Sequence, residues 1–288
     1  MKLTKKPALL LAPLLLVAAS LAQAACLSDA EVAAMYDAYN QRKPAANPEG
    51  LSLADGECTR AKFNRLLQAS MGAPVGYKAG LTNPAVQKRF DASAPVWGTL
   101  YGPMLLKNGA VVEAGFGSRP LFEADLLVRV SNVAINRAAN VDDVLKAIDQ
   151  VIPFIELPDL VVQVPAPPKL NGAGVTAINV GARLGVLGEP IAVAGQAGIG
   201  DALRDMVAVV KGDGVELDRG KGSDVLGHPL NAVVWLAQDM ARNGQAMKVG
   251  DLISLGSFSK LMPPKPGLAV EVQYQGLPGN PVVKVSFK

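Results

Sequence analysis

Two acidic residues interrupt an otherwise apolar stretch between residues 121 and 130. Glu123 and Asp125 stand one residue apart there, and the surrounding Leu, Phe and Val residues predict a buried strand. Because successive side chains of a strand point to opposite faces, the two carboxylates point the same way. A second apolar run, residues 151 to 157, carries Glu156 and is too hydrophobic to hold an unpaired charge.

Two interpretations of the acidic pair remain open from the pattern alone. In the first, a divalent cation offsets the repulsion and lost hydration of two neighbouring carboxylates. Oxygen ligands suit a hard ion such as Mg²⁺ or Ca²⁺, and Mn²⁺ is also compatible. In the second, Glu123 and Asp125 face solvent on a half-exposed strand. The alternation of so short a run does not decide between them.

The part of the chain before this strand is predicted to begin with helices. A capping box at Ser28 predicts a first helix. Residues 43 to 56 contain Pro, Asn and Gly and are predicted to form a loop, followed by a second helix from 59 to 70. Residues 75 to 82 form a short extended segment in which Lys78 stands among apolar and glycine residues. This lysine is either a surface side chain or a buried functional amine.

The remaining segments mix helical and extended patterns without regular βαβα alternation. The predicted helices are residues 84 to 89, residues 140 to 150 and a helix that begins near Pro229. The predicted strands are residues 109 to 114, 177 to 187, 206 to 210, 215 to 217, 270 to 274 and 282 to 287. The Gly-Asp-Gly turn at 212–214 predicts a hairpin into 215–217, and the last two strands are predicted to form a closing hairpin. Residues 97 to 102 and 163 to 174 are predicted to be turn or loop. This mixture predicts an α+β fold with a mixed or mainly antiparallel sheet.

The first 24 residues have the pattern of a secretory signal peptide. Three lysines precede an apolar stretch from 8 to 19, and the Ala-Gln-Ala sequence at 22–24 matches a cleavage site. A retained membrane anchor is the alternative. A lipoprotein is excluded, because Gln23 occupies the position before Cys26 that would need a Leu-like residue. We therefore expect a periplasmic or secreted protein with no membrane association after cleavage.

Removal of this segment changes the charge of the chain. The full sequence has 28 Lys and Arg residues against 25 Asp and Glu residues, a formal net charge of +3. The first 24 residues hold three lysines and no acid, so the mature chain carries no net charge. No basic patch or basic helix indicates a nucleic-acid partner, and none is expected.

The two cysteines, Cys26 and Cys58, both follow the predicted cleavage site. An even number of cysteines in an oxidising compartment is typical of a disulfide. We therefore expect a Cys26–Cys58 bridge that ties the mature N-terminus to the second predicted helix.

The one histidine of the chain, His228, limits the available chemistry. A zinc site would lack a second His or Cys ligand nearby, and no G-x-S-x-G motif accompanies His228 to form a nucleophilic triad. Its place beside Pro229, at a predicted helix start, favours a capping role over catalysis.

Several short motifs of the chain also form a set with a fixed order. They are KAGLT at 78–82, WGTL at 97–100, FEAD at 122–125, IPFIE at 152–156, LGHPLNAVVWLA at 226–237, and GDLI with GSF at 250–258. Together they resemble the 2-oxopent-4-enoate hydratase and 4-oxalocrotonate decarboxylase group of the fumarylacetoacetate hydrolase superfamily. The resemblance covers roughly residues 70 to 270, and its most specific part is the combination of LGHPLNAVVWLA, K-x-G-L-T and the spaced acids.

The resemblance implies a fold, a site and an assembly. The fold is a mixed β-sheet roll, with residues 25–74 as a helical N-terminal segment and 75–288 as the catalytic domain. The implied assembly is a homo-oligomer. The implied site residues are metal ligands for Mg²⁺ or Mn²⁺ at Glu123, Asp125 and Glu156, a catalytic lysine at Lys78, and substrate-binding residues at Asn179 and Ser257.

The chain also departs from the family pattern at polar positions. Asp125 replaces a glutamate of the family's E-x-E pair, which is a conservative change. Val96 stands where the family usually has an aspartate, and the family's A-D-N-A-S segment has Ile178 and Gly181 in place of its Asp and Ser. The metal ligands are thus retained while polar groups that handle substrate are lost.

These features support two classes of function. The favoured one is a metal-dependent enzyme that hydrates or decarboxylates a small 2-oxo acid, or hydrolyses a C–C bond of an acylpyruvate. In that enzyme the metal would stabilise an enolate, and Lys78 would move the proton. The alternative is a non-catalytic periplasmic protein that binds a small carboxylate.

Overall fold

The computed structural model describes residues 26–163 and 170–288 of the 288-residue chain. The predicted signal peptide, residues 1–24, lies outside these ranges. The helices of the described part are α1 Asp29–Gln41, α2 Leu53–Met71, α3 Pro84–Arg89, α4 Val141–Leu145, α5 Gly172–Ala177, α6 Ile199–Asp205 and α7 Asn231–Arg242. The strands are β1 Pro74–Gly80, β2 Val96–Tyr101, β3 Leu105–Lys107, β4 Ala110–Val112, β5 Glu123–Val130, β6 Ile148–Leu157, β7 Leu184–Leu187, β8 Ile191–Ala192, β9 Val207–Gly212, β10 Val215–Lys221, β11 Leu252–Ser254, β12 Ala269–Gln275 and β13 Val282–Phe287.

These strands form two mixed sheets. The larger sheet has the order β2-β1-β11-β5-β6-β7-β3, with β8 paired to β6, and the smaller sheet has the order β10-β9-β12-β13-β4. Most pairs are antiparallel, whereas β1–β11, β3–β7 and β4–β13 are parallel. The predicted α+β class with a mixed β-sheet roll is confirmed. The domain boundary at residue 75 stays a prediction.

Strand β5 is buried on both faces, which explains why its sequence is so apolar. Leu126 and Val128 belong to a core shared by both sheets and α7. Leu127 points the other way, into a second core to which α1 and α2 contribute Val32 and Phe63. Alternation therefore places the side chains of residues 123, 125 and 127 on the face that the N-terminal helices cover.

Helix α2 begins six residues before the predicted start at residue 59, so the loop prediction for residues 53 to 56 is wrong. Ser52 caps it: the Ser52 hydroxyl accepts from the Asp55 amide at 3.2 Å, and the Asp55 carboxylate accepts from the Ser52 amide at 2.8 Å. Gly56, which suggested a loop, lies inside the helix. A Cβ atom there would lie 2.4 Å from the Ala173 carbonyl oxygen, so the glycine permits close contact with α5.

Four other predicted segments differ from the structure. Of the predicted loop over 163–174, residues 164–169 lie outside the described ranges and residues 172–174 belong to α5. Residues 97 to 102 are largely strand β2 and not a turn, because they pair with β1. Gly98 does not mark a turn there: a Cβ atom at this position would lie 2.4 Å from the Asn179 carbonyl oxygen, so the glycine permits close contact with Asn179. The predicted 140–150 helix ends at Leu145, since the chain from Ile148 onward pairs with β5. The predicted strand over 177–187 exists only at its end, β7, and starts as a helical turn.

Other predictions agree with the structure. The helix over 84–89, the hairpin of β9 and β10, the long helix after Pro229 and the closing β12–β13 hairpin are all present.

The predicted disulfide between Cys26 and Cys58 is also present. The two Cα atoms are 5.6 Å apart, a usual separation for a bridge. Next to it, the Leu27 amide donates to the Thr59 hydroxyl at 3.1 Å, and the Lys62 ammonium donates to the Leu27 carbonyl at 2.9 Å. The start of the described chain is thus fixed to α2. Within the described ranges, no helix has the length and apolar character needed to cross a membrane.

Candidate active site

Glu123 and Glu156 face each other across neighbouring strands. In the antiparallel pairing of β5 with β6, these two residues are direct partners. Glu123 is 8% exposed and Glu156 is 3% exposed, while Asp125 is fully buried. The interpretation in which Glu123 and Asp125 face solvent is therefore wrong. Two carboxylates that face each other across neighbouring strands repel each other unless a proton or a cation lies between them.

Lys78 is the cation that the fold supplies to this acidic group. It lies on β1, is 3% exposed, and its ammonium forms a salt bridge with Glu156. The same ammonium donates a hydrogen bond to the Val180 carbonyl oxygen at 3.0 Å. Of the two readings left open by the sequence, the buried amine is the one observed.

The Asp125 carboxylate accepts hydrogen bonds from the next residue of its own strand and from the segment that contains Ser254 and Gly256. Its Oδ2 atom accepts from the Ser254 hydroxyl at 2.5 Å, and its Oδ1 atom accepts from the amides of Leu126 and Gly256 at 2.6 and 3.0 Å. Ser254 lies on β11, which is inserted between β1 and β5. A carboxylate has about four acceptor positions, so these three bonds leave one position for another partner.

Burial dominates the protonation of these acids. It raises the pKa of Glu123 well above its usual range, and the neighbouring Glu156 raises it further, against the opposing charge of Lys78. Burial likewise raises the pKa of Asp125 to about 7, with Glu156 acting in the same direction and the Ser254 hydrogen bond acting against it. Three buried carboxylates lie near one ammonium, so ionisation of all three would leave negative charge in excess.

Asn179 organises the turn that presents the Val180 carbonyl to Lys78. Its side-chain oxygen accepts from the Thr99 amide at 2.7 Å, and its side-chain nitrogen donates to the Thr99 carbonyl at 2.9 Å. Asn179, Val180 and Gly181 all have left-handed backbone angles, with φ of 54°, 54° and 67°. This conformation is strained for a β-branched valine, so the surrounding contacts must enforce it.

The two predicted substrate-binding residues occupy different positions. Ser257 lines the cavity described below, and its hydroxyl donates to the Ser259 carbonyl at 2.7 Å. Asn179 is fully buried with both polar atoms engaged by Thr99, and it is not among the cavity-lining residues. Contact of either residue with a substrate stays a prediction, and Asn179 would first have to leave Thr99.

A cavity of about 470 Å³ opens onto this group. Lys78, Glu123 and Glu156 form its buried end. Further lining residues include Thr82, Arg89, Phe90, Leu160, Val180, Arg219, Ser257, Phe258 and Lys260. A volume of this size accommodates a small organic acid.

The acids of the site offer oxygen ligands for a metal ion, although two of them are turned to other partners. Within residues 26–163 and 170–288, no three acidic, histidine or cysteine side chains already converge as a metal-holding group. Glu156 is turned to Lys78, and Asp125 is turned to Ser254 and Gly256. The donor set nevertheless fits a hard divalent cation, because it consists of buried carboxylate oxygens whose charge, once all three acids are ionised, exceeds that of the one ammonium.

The structure adds one residue to the site, Ser254, and it confirms the capping role predicted for His228. Sequence reasoning missed Ser254, whose only trace was its place in the strand-like GDLISLG segment. His228 is a cap, as expected: its Nδ1 atom accepts from the Leu230 amide at 3.1 Å, and Nε2 lies 2.9 Å from the Gly200 carbonyl oxygen.

Comparison with known proteins places the chain in a family. No family model matches the chain. The 2-keto-4-pentenoate hydratase 1 of Dechloromonas aromatica (strain RCB) is 30% identical over 207 residues, which cover 72% of this chain and 75% of the hydratase.

Among solved structures, the 4-oxalocrotonate decarboxylase from Pseudomonas putida G7, complexed with magnesium and adipate, superimposes with a TM-score of 0.76 at 25% identity. That match covers 90% of this chain and 98% of the decarboxylase. A putative fumarylacetoacetate hydrolase family protein from Yersinia pestis CO92 shares the fold, with a TM-score of 0.53 at 17% identity over 75% of this chain and 94% of that one. The chain therefore belongs to the 2-keto-4-pentenoate hydratase and 4-oxalocrotonate decarboxylase group, and it shares its fold with a fumarylacetoacetate hydrolase family protein.

Proposed function

We propose that this chain is an enzyme that processes a small 2-oxo acid with the help of a divalent cation. The observation that carries the proposal is the buried end of the cavity, where Lys78, Glu123 and Glu156 lie together beside the buried Asp125 and the ammonium of Lys78 pairs with Glu156 alone. The hydratase and the decarboxylase among the similar proteins support the same class of reaction. The magnesium in the decarboxylase structure supports a divalent cation.

The three carboxylates are the residues that would hold the cation. Each brings an oxygen ligand of the kind that Mg²⁺ and Mn²⁺ prefer, and the group has more negative charge than Lys78 can offset. When bound, the ion supplies Lewis-acid stabilisation of the charge that develops on the keto oxygen of a 2-oxo acid.

Lys78 is the residue that would hold or move a proton. Its ammonium is fixed by two acceptors, Glu156 and the Val180 carbonyl, at the buried end of the cavity. A fixed amine at this position can give a proton to, or take one from, the carbon next to the keto group of a bound acid. Proton transfer by Lys78 therefore requires no histidine or cysteine at the site.

The side chains next to Gly80, the second residue after Lys78, favour decarboxylation or enol–keto exchange over hydration. Val96 and Val180 both approach Gly80, where a Cβ atom would lie 2.4 Å from Val180 Cγ1 and 3.8 Å from Val96 Cγ2. Neither side chain has a polar atom that could orient an attacking water, which hydration and C–C hydrolysis both require. The same apolar side chains support the second candidate function, a non-catalytic binder of a small carboxylate.

We also propose a periplasmic or secreted location. The signal-peptide pattern of residues 1–24 supports it, and so does the Cys26–Cys58 bridge, because disulfides persist in oxidising compartments.

Metal analysis of the purified mature protein, followed by ultraviolet assays with a panel of 2-oxo acids and dienoates in Mg²⁺ or Mn²⁺, tests the proposal. We expect turnover that requires the metal and is fastest for a decarboxylation or an enol–keto exchange. Full hydratase activity would contradict the role given to Val96 and Val180. Tight metal-dependent binding without turnover would favour the non-catalytic binder.

A further inference from the structure

A second cavity, of about 560 Å³, lies on the face of β1 and β2 that is opposite to Lys78. Tyr77 lines this second cavity, whereas the next residue of β1, Lys78, lines the cavity that holds Glu123 and Glu156. Because successive side chains of a strand point to opposite faces, the two cavities lie on different sides of the sheet. They share no lining residue. The second cavity is completed by α2 and by the residues that follow α7.

Arg60 of α2 is a buried cation in the wall of the second cavity. It is 4% exposed, and its guanidinium carbon lies 3.5 Å from the centroid of the Trp97 ring, in a cation–π contact. Its Nη1 atom donates to the Trp97 carbonyl oxygen at 2.6 Å. This is the only hydrogen bond that the Arg60 side chain makes to the described part of the chain. Most N–H donors of this guanidinium therefore have no acceptor.

No carboxylate of the described part of the chain forms a salt bridge with Arg60. Burial lowers the pKa of Arg60 to about 10, and Glu57 and Asp239 act in the opposite direction from a greater distance. The Asp239 carboxylate already accepts two other hydrogen bonds, at 2.8 and 2.5 Å. Residues 1–25 and 164–169, which the structure does not describe, contain no Asp or Glu. A buried charge without a partner is costly, so the site favours an anion from outside the chain.

Arg183 has the same two contacts in a different setting. Its guanidinium carbon lies 3.9 Å from the centroid of the Tyr39 ring, and its Nη1 atom donates to the Tyr39 carbonyl oxygen at 2.7 Å. Arg183 is only half-buried, however, and it does not line the second cavity. Stacking on a ring and the bond to its carbonyl are thus common to both arginines, whereas burial beside the cavity distinguishes Arg60.

The lining of the second cavity also has an excess of positive charge. Its charged side chains are Arg60, Arg65 and Glu57, so two cations accompany one acid. Arg65 is exposed, and its side chain makes no salt bridge or hydrogen bond within the described ranges. The planar fork of a guanidinium matches a carboxylate in geometry and charge. The half-buried ring of Tyr77 offers apolar surface to the rest of such a ligand.

We propose that the second cavity is a binding site for a small carboxylate with an apolar body. The carboxylate would pair with the fork of Arg60, and the apolar body would lie along the ring of Tyr77. A volume of about 560 Å³ is sufficient for such a molecule. The inference is independent of the proposed function, because no residue of this site lines the cavity of Lys78.

The test compares benzoate with benzamide, which has the same ring but no charge. Calorimetric titration of the purified mature protein measures both Kd values without added metal, so that the acids of the Lys78 cavity repel a carboxylate. We expect benzoate to bind about tenfold or more tightly than benzamide, as for hydrogen bonds between charged groups. The variant R60Q should lose this preference. R60K should keep part of it, because a lysine retains the charge but not the fork.

A second variant, A61F, keeps Arg60 and fills the cavity, because Ala61 is an exposed residue of α2 that lines it. It should weaken benzoate binding about tenfold or more while the fold is retained, so it decides the matter if R60Q does not fold. R183Q is the matched control, because it removes the same stacking and carbonyl bond away from this cavity. It should keep the preference for benzoate.

Three results would each overturn the second site. They are equal binding of benzoate and benzamide, unchanged benzoate affinity in A61F, and a loss of preference in R183Q as large as that in R60Q. None of them would affect the proposed function, which concerns the other face of the sheet.

Discussion

Glu123 and Glu156 are cross-strand partners on β5 and β6, yet Lys78 forms a salt bridge with Glu156 and no ion pair of the described residues reaches Glu123. Burial of an unpaired carboxylate is costly unless it takes up a proton or a cation. The raised pKa of Glu123 reflects this cost in the metal-free protein. A strand pair that is stabilised mainly by apolar packing thus carries buried acids with raised pKa values at one end, and such acids cluster at functional sites.

Replacement of Lys78 by methionine tests its role in proton transfer. Because methionine keeps the length of the side chain but has no transferable proton, we expect K78M to lower turnover by about 10²- to 10⁴-fold. The metal affinity, measured by calorimetry, should stay within a few-fold of that of the wild-type protein. K260M is the control, since Lys260 lines the same cavity from an exposed position. Wild-type turnover in K78M would refute the assignment.

Asn179 is expected to act on Lys78 through the left-handed turn. N179A would leave the buried amide and carbonyl of Thr99 without partners, so the free energy of unfolding should fall by about 2–4 kcal/mol. Turnover should fall with it, because the Val180 carbonyl would no longer be fixed. Chemical denaturation of N171A provides the comparison. Asn171 only caps α5 from a half-buried position, and its loss should cost about 1 kcal/mol. Equal stability losses in the two variants would contradict the special role of Asn179.

The Cys26–Cys58 bridge should be complete in the mature protein. Titration of the unfolded, unreduced chain with a thiol reagent should detect no free thiol, because the structure pairs both cysteines. A chain with both residues changed to serine should unfold at lower denaturant concentration, with a loss of about 3–4 kcal/mol for a loop of this length. Detection of two thiols per chain would exclude the bridge.

His228 should make the protein less stable in mild acid. Burial lowers its pKa below the usual 6.5, and the Leu230 amide donates to its Nδ1 atom, which favours the neutral ring. The unfolded chain therefore binds a proton that the folded chain does not. The stability from this residue is present above pH 6.5 and is lost as the pH falls through the folded-state value.

Because the chain has a single histidine, its ring resonances can be followed by NMR without ambiguity. Denaturation of H228Q between pH 5 and 7.5 should show less pH dependence than that of the wild-type protein. A measured pKa at or above 6.5 would contradict the role of His228 as a neutral cap.

The sequence was informative where a local pattern had a local cause. The acids on β5, the hairpins and the capped helices follow from alternation, turn residues and caps, which act over a few positions. Lys78 was singled out by its apolar surroundings, and its burial follows from the same surroundings.

The errors occur where a distant contact decides the local structure. Gly56 and Gly98 suggested a loop and a turn, but both allow close approach of a segment that is far away in the sequence, α5 and Asn179 respectively. The bond from Ser254 to Asp125 depends on β11 being inserted between β1 and β5. The left-handed turn at Val180 depends on the two hydrogen bonds between the Asn179 side chain and the Thr99 backbone. Such long-range register is not encoded in the periodicity of any one segment.

The binding of one divalent cation by Glu123, Asp125 and Glu156 is tested by the thermal response of the protein to metal. A ligand stabilises the fold only through its affinity for the folded state, so Mg²⁺ or Mn²⁺ at a hundred times its Kd should add about 2.7 kcal/mol. The measurement is the difference in unfolding midpoint with and without metal, taken within each variant so that the loss of the Lys78 salt bridge cancels. E271Q is the control, because Glu271 pairs with Lys284 away from the site. We expect E156Q to lose the metal response and E271Q to keep it, whereas an undiminished response in E156Q would show that Glu156 does not bind the cation.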